Sequence, residues 1–125
     1  MSKLQDLRAA IMAADPKIEA DQLFTFIRDG NVTDTGAGIR YEGTAVVVVT
    51  DWAGSPHPIA RALALWLRTF ENAATDALQF EVDLISNTMV DLNFSLPFSE
   101  VVVFEGDQFA ECAGPVPNPQ NFFPP

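Results

Sequence analysis

The chain has one histidine, His57, and one cysteine, Cys112, the two side chains best suited to nucleophilic or metal chemistry. His57 ends the stretch VVVVTDWAGSPH, six residues after Asp51 and five after Trp52. With no second imidazole in the chain, it has no histidine partner with which to hold a metal. A Cys–His pair can meet in space across any sequence distance. Cys112, however, immediately precedes a proline-rich end, and no loop nearby offers an obvious oxyanion hole. Asp51 as a general base would need a partner or a pocket to tune it. It reads more simply as an acceptor for backbone N–H groups in a strand-to-helix turn. Trp52 beside it either covers the helix start or stands exposed as a contact. Glu81, Asp83 and Asp91 could suggest a carboxylate metal site, but acids on alternate strand positions are ordinarily a solvated face. TGAG at residues 35–38 has no Gly-Lys-Ser/Thr after it and so is no phosphate loop. Paired CxxC motifs and dinucleotide fingerprints are missing. The expectation is a protein with no catalytic centre, no cofactor and no metal, in which Asp51, Trp52, Glu81, Asp83 and Asp91 are candidate contact residues.

The elements that would position these residues follow from periodicity. Leu4, Leu7, Ile11 and Ala14 form an apolar stripe at helical spacing, so the spacing predicts a helix capped by Ser2 and running to about Ala14. Pro16 then disfavours helix at the residue before it. QLFTFIR, residues 22–28, reads as a strand, and DGN after it as a turn or bulge. IRYEGTAVVVVT, residues 39–50, is a longer strand; its run Val46–Val49 suggests burial on both faces and a central place in the sheet. Ser55 suits an N-cap and Pro56 the first helical position, with Gly54 letting the chain bend before them. Ile59, Ala62, Leu63, Trp66 and Phe70 then share one face of a second helix.

The second half alternates with period two. Leu78, Phe80, Val82 and Leu84 point one way, and Gln79, Glu81 and Asp83 the other. After a turn at SNT, Val90, Leu92, Phe94, Leu96 and Phe98 alternate with polar residues. This predicts an antiparallel hairpin with one buried face and one wet, acidic face. Pro97 donates nothing to a ladder, which places its strand at an edge or a bulge. VVVF at 101–104 continues extended, EGD turns, and QFAEC is a last short strand. The fold class is therefore α+β: a mostly antiparallel sheet of four to six strands with two helices on it. Residues 1–113 form one domain. Residues 114–125, with five prolines, form an extended tail whose Phe122 and Phe123 are candidates to dock on a neighbour.

Length and charge narrow the function classes. The 125 residues suffice for one domain with a real core. LRAAIMAA, interrupted by Arg8, is too short for a secretion signal, and no apolar run could span a bilayer. One cysteine cannot form an internal disulfide, which suits folding in a reducing cytoplasm. The net charge is −10, and its distribution is uneven: all seven basic residues lie at or before Arg68, whereas nine acids and no base follow it. Such a surface repels a DNA backbone. It suits a plain solvated acidic surface, a face that meets a basic partner, or the wall of a passage that must not hold DNA.

Taken in order, KLQDLRAAI, LFTFIRDGNV, RYEGTAVVVVTDWAG, LALWL and FEVDLISNTMVDLNFSLPFSEVVV resemble the tail completion protein R family of contractile-tailed temperate phages and their prophage and tailocin relatives. The resemblance covers about residues 3–104 and rests most on VTDWAG before a helix and on the acidic alternating hairpin. It implies a structural, non-enzymatic tail terminator with a small α/β fold. Such proteins form a ring, usually six-fold, that caps tail tube and sheath, ends elongation and joins the neck connector. The implied location is the virion tail or neck, after assembly in the host bacterial cytoplasm, away from any membrane. In such a ring DNA passes without specific binding, and Glu81, Asp83 and Asp91 would line the lumen. A neighbouring neck ring and a small adaptor or chaperone for a basic tail component are the alternatives.

Overall fold

A computed structural model describes residues 2–71, 77–106 and 108–112. Helix α1 spans Ser2–Ala14; β1 (Leu23–Asp34) and β2 (Gly38–Trp52) form a long hairpin. Helix α2 covers His57–Trp66 and widens into a π turn at Leu67–Glu71. β3 (Gln79–Leu84), β4 (Val90–Glu105) and β5 (Gln108–Cys112) complete one antiparallel sheet in the order β1-β2-β4-β3, with β5 also on β4. The fold is the expected α+β arrangement, with five strands and two helices. Among the described residues no helix is long and apolar enough to cross a membrane. The expected tail with Phe122 and Phe123 lies outside the described residues.

The core follows from the alternation. β4 turns Leu92, Phe94, Leu96 and Phe98 toward the helices, in register with Val49, Val47, Ala45 and Gly43 of β2. Leu7 and Ile11 of α1, with Ile59, Leu63 and Trp66 of α2, close over that face. Each such side chain, fully buried, contributes about 1.5–3 kcal/mol. Val46, on the other face, is also buried, whereas Val48 is half-buried. Opposite them in register, Phe26 and Phe24 are only half-covered, because no helix layer lies there. β2 is thus central, as its apolar run requires, yet the burial of its second face comes from neighbouring side chains alone.

Several boundaries differ from the sequence reading for local reasons. β1 runs past Asp29–Gly30 through a bulge between Arg28 and Asn31, at which Asp29 takes a φ of 57°. α2 begins one residue later than expected, at His57, whose N–H donates to Ser55 Oγ at 3.1 Å. Gly54 is needed for room: a Cβ there would lie 2.9 Å from the Trp52 ring. Ala14, expected on the buried stripe, is exposed at the end of α1.

The larger correction concerns β3. The hairpin with β4 exists in the expected register, Phe80 facing Phe94 and Val82 facing Leu92. Its apolar row is not buried: all six residues of β3 are exposed, Phe80 by 67% and Leu84 by 81%. β3 is the outermost strand, beyond the reach of both helices, so alternation alone could not bury it. Pro97 is likewise not on an edge strand, since β4 pairs with β2 along almost its whole length. The outer side of β4 is covered by β3 only over residues 90–95 and by β5 only over 101–105. Pro97 sits in the gap, where its missing N–H withdraws nothing from a ladder.

Candidate functional site

The gap in β4 is closed by charge. Lys3 Nζ lies 2.7 Å from Glu71 Oε1 and donates to the carbonyls of Ser99 at 2.7 Å and Phe70 at 3.0 Å. Glu71 Oε2 accepts the Ser99 N–H at 3.0 Å and its hydroxyl at 2.9 Å. Both outward backbone groups of Ser99 are therefore satisfied by the helix layer, as a buried strand edge demands. Glu100 is buried beside them and accepts from the Lys3 N–H at 3.3 Å. Burial pushes the Glu71 carboxyl above its ordinary value of 4.5, against the opposing pull of Lys3 and Ser99. Linkage fixes the sign. The folded chain holds that proton more tightly than the unfolded one, so this contribution to stability is full below 4.5 and is lost as pH rises through the raised folded value. The π turn delivers Glu71 to this position. Nothing in the sequence pattern marks the pair, since Lys3 and Glu71 are far apart in the chain. The cluster is an internal clamp built on the Lys3–Glu71 ion pair.

The sequence-derived candidates separate into two groups. At the β2–α2 junction Trp52 is buried and its indole N–H donates to the Ser55 carbonyl at 3.2 Å, so it covers the helix start. Asp51 takes a φ of 50° in the bulge between Val49 and Trp52. The hydrogen bond there runs opposite to expectation: the Asp51 N–H donates to Asp91 Oδ1 at 3.0 Å. His57 is exposed at the helix start. Cys112 pairs with Val101, eleven residues along β4 from Val90, which faces Trp52. That is roughly 35 Å of strand between the two ends, too far for the Cys–His pair. No cluster of metal-ligating residues exists among the described residues.

The second group is the β3–β4 hairpin. Asp83 directly faces Asp91, and Glu81 faces Asn93, on the sheet face opposite the helices. Like charges placed directly opposite are mildly destabilising; Asp91 is also engaged by the Asp51 N–H, whereas Glu81 and Asp83 stand on an exposed strand. On the other face the exposed row Phe80, Val82 and Leu84 runs toward Ile85 and Met89 at the tip. One element thus carries an exposed apolar row and an acidic row back to back.

A groove of about 460 Å³ lies between α1 and α2. Ala10 and Ala13 form one wall, and Pro58, Arg61, Ala62 and Leu65 the other. The helical stripes do not reveal it, because Arg61 and Leu65 fall outside the buried face of α2. The useful signal was present: Leu65 is a large apolar residue one turn from an arginine on a surface face.

No curated protein and no solved structure matches the chain. A family model described as P2 phage tail completion protein R (GpR) matches residues 1–115.

Proposed function

Since the chain belongs to the P2 phage tail completion protein R family, we propose that it completes the tail as a ring of its own copies. The ring ends growth of tube and sheath and offers the surface to which the neck connector joins. One observation carries the reading: an apolar row on an acidic edge hairpin that stays exposed although Phe80 leans on Phe94, since no helix covers it. A contiguous apolar surface of this kind is a protein-contact surface. Six copies is the number the family resemblance suggests. The charge pattern supports passage of DNA without capture, because residues 69–125 contain no lysine or arginine with which to hold phosphates. The role is structural, and the virion tail or neck is where the protein resides.

Electron microscopy of purified particles, with an antibody or tag on this chain, tests the placement. Label is expected at the head-proximal end of the tail and nowhere along the shaft. Particles free of the protein would favour an assembly chaperone instead.

A further inference from the structure

We propose that the ring contact is head-to-tail: the β3–β4 hairpin of one copy enters the α1–α2 groove of the next. The inference rests on the ring reading above and names the two surfaces that would make it.

The hairpin needs a cover, and charge indicates which one. Glu81, Asp83 and Asp91 stand on it with no basic residue between Gln79 and Glu105. On α2 and the turn after it, Arg61 and Arg68 are exposed and have no ion pair among the described residues. Lys3, by contrast, is consumed by Glu71, Arg8 by the carbonyls of Leu23 and Ala20, and Arg28 and Arg40 by Asp29 and Glu42. Of the basic side chains so left, which include Lys17, Arg61 lines the apolar groove, while Glu81 and Asp83 alternate with the apolar row along the hairpin.

The shapes agree with the charges. A hairpin tip entering a groove presents one face to each wall. The alanine wall of α1 suits Val82 and Leu84, and the α2 wall places Arg61 where Asp83 or Asp91 could reach it. Leu65, 43% exposed, adds apolar surface on that side. α1 carries one acid, Asp6, and α2 none, so little on the groove opposes an acidic visitor. Trp66, which also lines the groove, has a buried indole N–H with no acceptor among the described residues. Hairpin and groove are different patches of one chain, so the contact is heterologous. Such a contact closes into a ring if its rotation closes and runs on as a filament if it does not.

Mixing experiments on the full-length chain test this by light scattering after size-exclusion chromatography. The wild type is expected as a multi-copy species that dissociates as salt rises. A hairpin variant, Phe80→Ser with Leu84→Ser, and a groove variant, Leu65→Asp, are each expected to run as folded single copies, melting like the wild type at a salt concentration that dissociates it. Mixed one to one, they are expected to form pairs and stop there, because each pair uses the only intact hairpin and the only intact groove. Arg61→Glu serves as a second groove variant, with association restored by Asp83→Arg supplied on the other copy. If the wild type forms rings and both variants still do, the hairpin–groove contact is wrong while the ring stands. Failure of the mixed variants to pair overturns the head-to-tail arrangement. A wild type that stays single-copy throughout its soluble range overturns the ring reading itself, and this contact with it.

Discussion

Replacing Lys3 with methionine is expected to remove about 3–5 kcal/mol of stability at neutral pH, the range seen when one partner of a buried ion pair is deleted. The side chains of Lys3 and Glu71 are 3% and 2% exposed, so solvent does little to relieve the loss. Methionine fills the aliphatic space but leaves the Glu71 carboxylate without its cation and the Ser99 and Phe70 carbonyls without their donor. Small domains have total stabilities of about 5–15 kcal/mol, so the variant should be partly unfolded near physiological temperature. The penalty should shrink on acidification. Without the ammonium, nothing but Ser99 opposes the upward push of burial on Glu71, and a protonated Glu71 needs no counterion. Urea melts at neutral and at acid pH read both effects. Equal penalties at the two pH values would mean that Lys3 acts by packing and not through Glu71.

The second large effect concerns Gly38. A Cβ built on it would lie 2.0 Å from the Val102 carbonyl oxygen and 3.0 Å from Val103 Cα. Both obstacles are backbone, held in the β2–β4 ladder and, on the far side of β4, in the ladder with β5. Neither can rotate away. Gly38→Ala should therefore reach or exceed the upper end of the roughly 1–3 kcal/mol typical of overpacking. Gly43→Ala is the comparison. Its nearest obstacle is the Ile27 Cγ2 at 2.7 Å, a side-chain methyl that can move, although the Arg28 carbonyl at 3.1 Å leaves little slack. Thermal melts should show the larger drop for Gly38→Ala. The reverse order would show that the first turn of the β1–β2 hairpin yields more readily than its bulge.

Local sequence made most of the fold legible, and the exceptions share one cause. The stripes Leu7–Ile11 and Ile59–Leu63–Trp66, the run at Val46–Val49 and the alternation in β4 each report what an element touches directly, and all were readable. β3 shows the same alternation as β4 and was assigned the same buried face, yet it is bare. Alternation says that two faces differ; it does not say how far the helix layer extends. Pro97 was ambiguous for the same reason, because the gap between β3 and β5 depends on where two other strands stop. Of the candidate site, the acids Glu81, Asp83 and Asp91 were visible as a row, but the exposed Phe80–Leu84 row behind them was not. Lys3 and Glu71 were illegible because their partnership depends on the whole fold bringing α1 to the end of α2. Asp51 and Trp52 were noticed correctly as a junction, with the hydrogen bond to Asp91 running the other way.

These observations make the molecule a packed core whose β3–β4 hairpin stands outside the helix layer. The clamp and ladders hold β4, β4 holds the hairpin, and the hairpin presents apolar surface that the described chain leaves exposed.

Deleting the gene from its phage or prophage, inducing, and imaging the lysate by electron microscopy tests the central claim most directly. The account predicts tails of irregular length, or finished tails lying apart from filled heads, with normal particles restored when the gene is supplied in trans. Intact, infectious particles from the deletion would contradict it.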